Sequence, residues 1–219
     1  FVAENLRLME LALVTKQNRP AFDDLLEFLH SKNYKTLHTF VTEKDATRGA
    51  RTILEYLTRP LPDGVHLFDG IARPYRQNKG KWLLLGWVFR DAPEQRLRPI
   101  VSSMSGDTGP ERQANLLNIV RQHVALVYPE PERWEWTVIS EVILDRLEGS
   151  RRAIKGTLFE AIVRETLSNL FKEAGFPLDI CDHEIKLDGE TYDVSVTGAR
   201  GRILLPVKTR ETMGGGHSL

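Results

Sequence analysis

Apolar residues recur at helical spacing through the first part of the chain. Leu6, Met9, Leu13 and Val14 share one side of a helix over residues 4–16. Phe22, Leu25, Leu26 and Leu29 do the same over 21–30, just after Pro20 at a helix start. A third helix is expected over 47–57, closed by Arg59-Pro60 and the Pro62-Asp63-Gly64 turn. The pattern then shortens. Residues 65–72, 81–90 and 98–104 read as strands, the first two joined by the basic loop Arg73–Lys81, and 105–110 reads as a turn cluster. Helical spacing returns over 111–128, with Leu116, Leu117, Val120 and Val124 inward, and again over 134–147. Between these two helices Pro129-Glu-Pro-Glu132 interrupts the pattern and reads as a domain boundary. It separates a mixed helical and β region, 1–130, from a second region, 131–219.

The second region carries the chemistry. A helix over roughly 157–173 has Leu158, Phe159, Ile162, Val163, Leu167 and Leu170 as its expected buried stripe, with Glu160 at the margin, and Gly175-Phe-Pro177 ends it. A short strand, 183–187, leads through the Asp188-Gly189-Glu190 turn into the alternating segment 191–197. The Gly198-Ala-Arg-Gly201 loop then returns the chain along 202–209. With that loop, Thr197 pairs with Arg202 and Asp193 with Pro206. Asp193 and Ser195 therefore share a sheet face with Leu204, Pro206 and Lys208. A loop one residue longer or shorter would move Lys208 to the other face. A helix acid, a strand acid and a strand lysine on one face can hold a divalent metal and position a water against a phosphate.

Glu160, Asp193 and Pro206-Val207-Lys208 resemble the PD-(D/E)XK nuclease superfamily, in particular its type II restriction endonucleases, over the last third of the chain. The family pattern has an acid two residues before the lysine, where this chain has Pro206. Some restriction enzymes of the superfamily read Ser/Pro-Val-Lys there and take the missing carboxylate from a following helix, which makes Glu211 or a residue beyond Leu219 the expected replacement acid. The resemblance implies an α/β (α+β) fold in which a PD-(D/E)XK-like helix and sheet core follows the mixed first region. It implies Mg²⁺ on Asp193, Glu160 and the Val207 carbonyl, with Lys208 orienting the attacking water. It also implies double-stranded DNA as substrate, a homodimer or higher homo-oligomer, and a prokaryotic, nucleoid-associated restriction–modification setting. The core would continue with a helix and a strand past Leu219. The start at Phe1 and the closing glycine tail fit a piece of a longer polypeptide.

Composition narrows this reading. The chain has 219 residues, with 30 basic and 30 acidic, so no global field attracts a polyanion and DNA contact must come from local clusters. Three such clusters stand out: Arg73, Tyr75, Arg76, Lys79 and Lys81; Arg151, Arg152 and Lys155; and Arg200 with Arg202 at the hairpin tip. A lone cysteine, Cys181, excludes a disulfide framework and a cysteine-based zinc site, in keeping with a reducing cytoplasm. No apolar run reaches the ~18 residues of a membrane span. Two other motifs are explained more simply. Pro62-Asp63 with Lys79 or Lys81 mimics the nuclease motif but is an ordinary turn. Gly214-Gly-Gly-His217 lacks the strand, lysine and helix of a phosphate loop. The rival reading is a non-catalytic DNA-binding or protein-interaction module in which Asp193 and the lysine are structural.

Overall fold

The computed structural model describes residues 2–181 and 183–207, and the side chains of these apart from 2–8 and 155–158. The fold is α+β. Seven α-helices are described: α1 (Val2–Gln17), α2 (Arg19–Ser31), α3 (Leu37–Val41), α4 (Ala46–Thr58), α5 (Gln77–Val88), α6 (Gly109–Val127) and α7 (Trp136–Glu173). Five short strands follow: β1 (Asp179–Ile180), β2 (Ile185–Leu187), β3 (Glu190–Tyr192), β4 (Val194–Gly198) and β5 (Gly201–Leu205). The chain forms two compact units, residues 1–151 and 152–219. The division falls inside α7 and not at the Pro129–Glu132 break.

The first unit is helical, which corrects the expected strands at 65–72, 81–90 and 98–104. Residues 77–88 form α5, and every residue from Gly80 to Val88 is buried. A helix buried on all sides shows no polar stripe, so its sequence reads like a core strand. Pro93–Leu97 is a π-helical turn, Arg98–Ser103 a 3₁₀ turn, and the 65–72 stretch keeps only an isolated bridge between Phe68 and Pro74. Around α5 lie Phe22, Leu25 and Leu29 of α2, Ile53 and Tyr56 of α4, Leu117 of α6, and Ile139, Ile143 and Leu147 of α7, in one continuous core.

Two buried cations stitch this unit together. The Arg121 guanidinium, 0% exposed, donates Nη1 to the carbonyls of Phe40 (3.0 Å), Val41 (2.7 Å) and Glu43 (2.9 Å), and its Nε and Nη2 to Asn118 Oδ1. Phe40 and Val41 close the last turn of α3 and Glu43 lies just beyond it, where carbonyls have no partner within the helix itself. Lys81, 2% exposed, donates Nζ to the carbonyl of Arg59, which itself pairs with the buried carboxylate of Asp24. Burial and the neighbouring Arg59 lower the Lys81 pKa.

Helix α7 runs without a break through Gly149-Ser150 and joins the two helices expected over 134–147 and 157–173. A mid-helix glycine costs about 1 kcal/mol, too little to end a helix anchored by Ile139, Ile143 and Leu147. In the second unit β4 is the central strand of an antiparallel sheet ordered β1-β4-β5, and β2 pairs with β3 in a separate hairpin. Val194, Ser195 and Val196 are buried, as a middle strand requires.

Candidate metal centre

Two tight turns set the register of the second unit. Asp188 (φ 52°) and Gly189 (φ 84°) both take left-handed backbone, the conformation a two-residue type I′ hairpin demands. They pair Leu187 with Glu190 and Ile185 with Tyr192. In the second hairpin Thr197 pairs with Arg202 and Val194 with Leu205, the register read from the Gly198–Gly201 loop. Asp193 stands at the bend between β3 and β4, where the two hairpins join.

The registers on either side of this bend differ by one residue. Extending the β1–β4 pairing, Asp179 with Thr197, sets position 183 opposite Asp193; extending the β2–β3 pairing sets Glu184 there. Counting outward from the Asp188-Gly189 turn thus sets Glu184 opposite Asp193. Glu160 completes the group from α7. One carboxylate oxygen from each of Glu160, Glu184 and Asp193 lies within 4.8 Å of the others.

Neighbouring groups hold these carboxylates. The Val207 amide N–H donates to Asp193 Oδ2 at 2.6 Å, fixing one oxygen of that carboxylate. Arg164, one helical turn after Glu160, donates Nε to the Asp193 carbonyl at 2.8 Å and sets Nη2 3.9 Å from Glu160 Oε2. Burial raises the Glu160 pKa most, Asp193 raises it next, Arg164 opposes and Glu184 adds to the rise. Among the described residues, three crowded carboxylates against one guanidinium leave net negative charge. The Ser195 hydroxyl, buried two residues along β4, has no hydrogen-bond partner among the described residues. Hard oxygen donors with surplus negative charge fit Mg²⁺, Mn²⁺ or Ca²⁺ rather than a soft metal.

Among the described side chains, the covered face of the helix keeps Val163 and Leu167 of the expected stripe and is turned away from the rest of it. Glu160, Val163, Arg164, Leu167 and Phe171 are half-buried, whereas Phe159, Ile162 (58% exposed) and Leu170 face outward, and the side chain of Leu158 lies outside the described residues. Arg164 bonds to the Asp193 carbonyl and Glu160 lies beside Asp193 and Glu184, so that edge of α7, not the most apolar one, faces the carboxylate group. Glu184 was missed in the sequence because the alternation of 183–187 gave it no special place. The signal was the Asp188-Gly189 turn: counting outward from it pairs Glu184 with Asp193. Lys208 and Glu211 lie outside the described residues, as does His217.

The expected DNA-contacting residues divide. Arg73 is exposed and pairs with Asp69 at 2.8 Å; Arg76, Arg152 and Arg200 are exposed. Lys79 stands over the Tyr75 ring at 5.6 Å, and the Tyr75 hydroxyl lies 3.4 Å from Ser150 Oγ. Lys81 is withdrawn into the core by its bond to Arg59, so it is a structural cation and not a surface contact. Arg151 is held by Glu10 at 2.7 Å, Arg202 donates to Thr197 Oγ1 at 3.2 Å, and the Lys155 side chain lies outside the described residues.

No family model, no curated protein and no solved structure matches this chain. No helix among the described residues is long and apolar enough to cross a membrane.

Proposed function

We propose that the 152–219 unit holds a divalent cation, Mg²⁺ in the cell, on Glu160, Asp193 and Glu184, and that the protein is a type II restriction-like endonuclease cutting double-stranded DNA. The convergence of the three carboxylates from a helix and two joined hairpins carries this reading. Glu184 takes the place of the acid that Pro206 displaces, in preference to Glu211. The bound cation supplies Lewis acidity toward the scissile phosphate. The chain's own residues supply the rest. The Val207 amide keeps Asp193 in one orientation, and Arg164 fixes both the Asp193 backbone and the Glu160 carboxylate. Lys208, which lies outside the described residues, would orient the attacking water and offset charge gathering on the phosphate, the role the family resemblance implies for it.

The test is cleavage of mixed plasmid and phage DNA by the intact chain in Mg²⁺ or Mn²⁺. Discrete metal-dependent fragments are expected, lost in Asp193→Ala, Lys208→Ala and Glu184→Gln. The second reading, a non-catalytic DNA-binding or interaction module, draws on one observation: Arg164 partly neutralises the acids without any metal. In that case all DNA stays uncut, and binding is indifferent to both cation and Asp193.

A further inference from the structure

The first unit carries a basic groove that the metal centre does not use. It has a volume of about 670 Å³ and lies among α5, the turns after it and the start of α6. Lys79, Arg98 and Arg112 line it with a single acid, Glu94. That acid is claimed twice: Lys79 Nζ and Arg98 Nη1 approach the same Oε2 at 3.5 and 3.1 Å. Three cations less one carboxylate leave a formal charge of +2 among the lining residues.

The cations remain available to a ligand. Arg98 keeps 73% of its side chain exposed and Lys79 48%. Arg112 is braced, its Nη1 donating to the carbonyls of Gly106 (2.9 Å) and Asp107 (3.4 Å), and it shares the field of Glu111. Gly109, the first residue of the 19-residue α6, also lines the groove and brings the positive end of that helix to it. Glu111, the nearby acid of α6, is turned into the helix cap, where its Oε2 accepts the N–H groups of Asp107 (2.7 Å) and Thr108 (3.0 Å). The one aromatic lining residue, Trp82, is only 3% exposed and offers no face for a base to stack on. A ligand here is held by its phosphates, not by its bases.

We propose that this groove binds the phosphodiester backbone of DNA without regard to sequence, through Arg98, Arg112 and Lys79. The proposal rests on the reading that the protein acts on nucleic acid, and it places a phosphate contact in the first unit that shares Lys79 with the Arg73–Lys81 cluster and adds Arg98 and Arg112 to it. Because Glu94 pairs with two of the three cations, it competes with the phosphates for them and lowers the affinity.

The experiment is fluorescence anisotropy of a labelled duplex of random sequence with the intact chain, in chelator, across a salt series. Arg98→Ala and Arg112→Ala are each expected to weaken binding about fivefold at moderate salt and to lower the salt slope by about 0.9. Glu94→Gln is expected to tighten binding. Arg51→Ala, an exposed arginine lining a different hollow of the same unit, serves as the charge control and should bind as wild type. The proposal is overturned if the groove variants bind as wild type, if Arg51→Ala loses as much as they do, or if inorganic phosphate at equal phosphate concentration displaces the duplex. The nuclease reading fails separately. Groove-dependent binding with no cleavage in Mg²⁺ keeps the groove and discards the metal-dependent enzyme; cleavage indifferent to Arg98 and Arg112 does the reverse.

Discussion

Glu160 is the residue on which charge and function conflict. Burial and the carboxylates of Asp193 and Glu184 raise its pKa, so without metal the folded protein holds that proton more tightly than the unfolded chain. Stability then falls as pH rises from the ordinary carboxylate range through the raised value, and the loss is complete above it. Glu160→Gln removes this penalty. In metal-free buffer the variant should melt above wild type at neutral pH and level with it in acid, while Mg²⁺ raises the melting temperature of wild type only. A wild type more stable than Glu160→Gln at neutral pH without metal would show that the Arg164 ion pair outweighs the repulsion. At this scale the sequence was partly readable. Asp193 and Glu160 were marked by a polar position in an apolar strand and by a helix margin. Glu184 was marked by no polar break in the alternation of its segment, although the Asp188-Gly189 turn contained the register.

Among the elements, those with amphipathic patterns were readable and those buried on all sides were not. Helices α2, α4 and α6 carry apolar stripes against polar faces and appear within a few residues of their expected bounds. Helix α5 has no polar stripe to reveal its period, and its one charged core residue, Lys81, hides its ammonium on a carbonyl. The packing of α5 gives a direct check. A Cβ on Gly86 would collide with Cγ of Pro93, the residue that opens the π-helical turn. Gly86→Ala is expected to destabilise the protein by about 2 kcal/mol, read from chemical denaturation. Were residues 81–90 a strand, as their apolar run implies, alanine there would cost little.

For the whole molecule, the balance of 30 basic and 30 acidic residues says that any grip on a polyanion must be local. The structure offers two local sites of opposite sign, a cationic groove in the first unit and an acidic cluster in the second. The α+β class was readable from the sequence. The position of the division was not, because Pro129 breaks the chain between helices that share one core, whereas Gly149-Ser150 fails to break α7. The most direct test of the metal-centre reading needs no substrate. Mn²⁺ added to the intact chain is followed by the loss of its free-ion electron paramagnetic resonance signal, with Asp193→Asn and Glu184→Gln run alongside. One Mn²⁺ taken up per chain, released by Mg²⁺ and lost or weakened at least tenfold in both variants, is the expected result. Mn²⁺ that stays free in the presence of wild type, or binds both variants as well as wild type, would contradict a cation held on Glu160, Asp193 and Glu184.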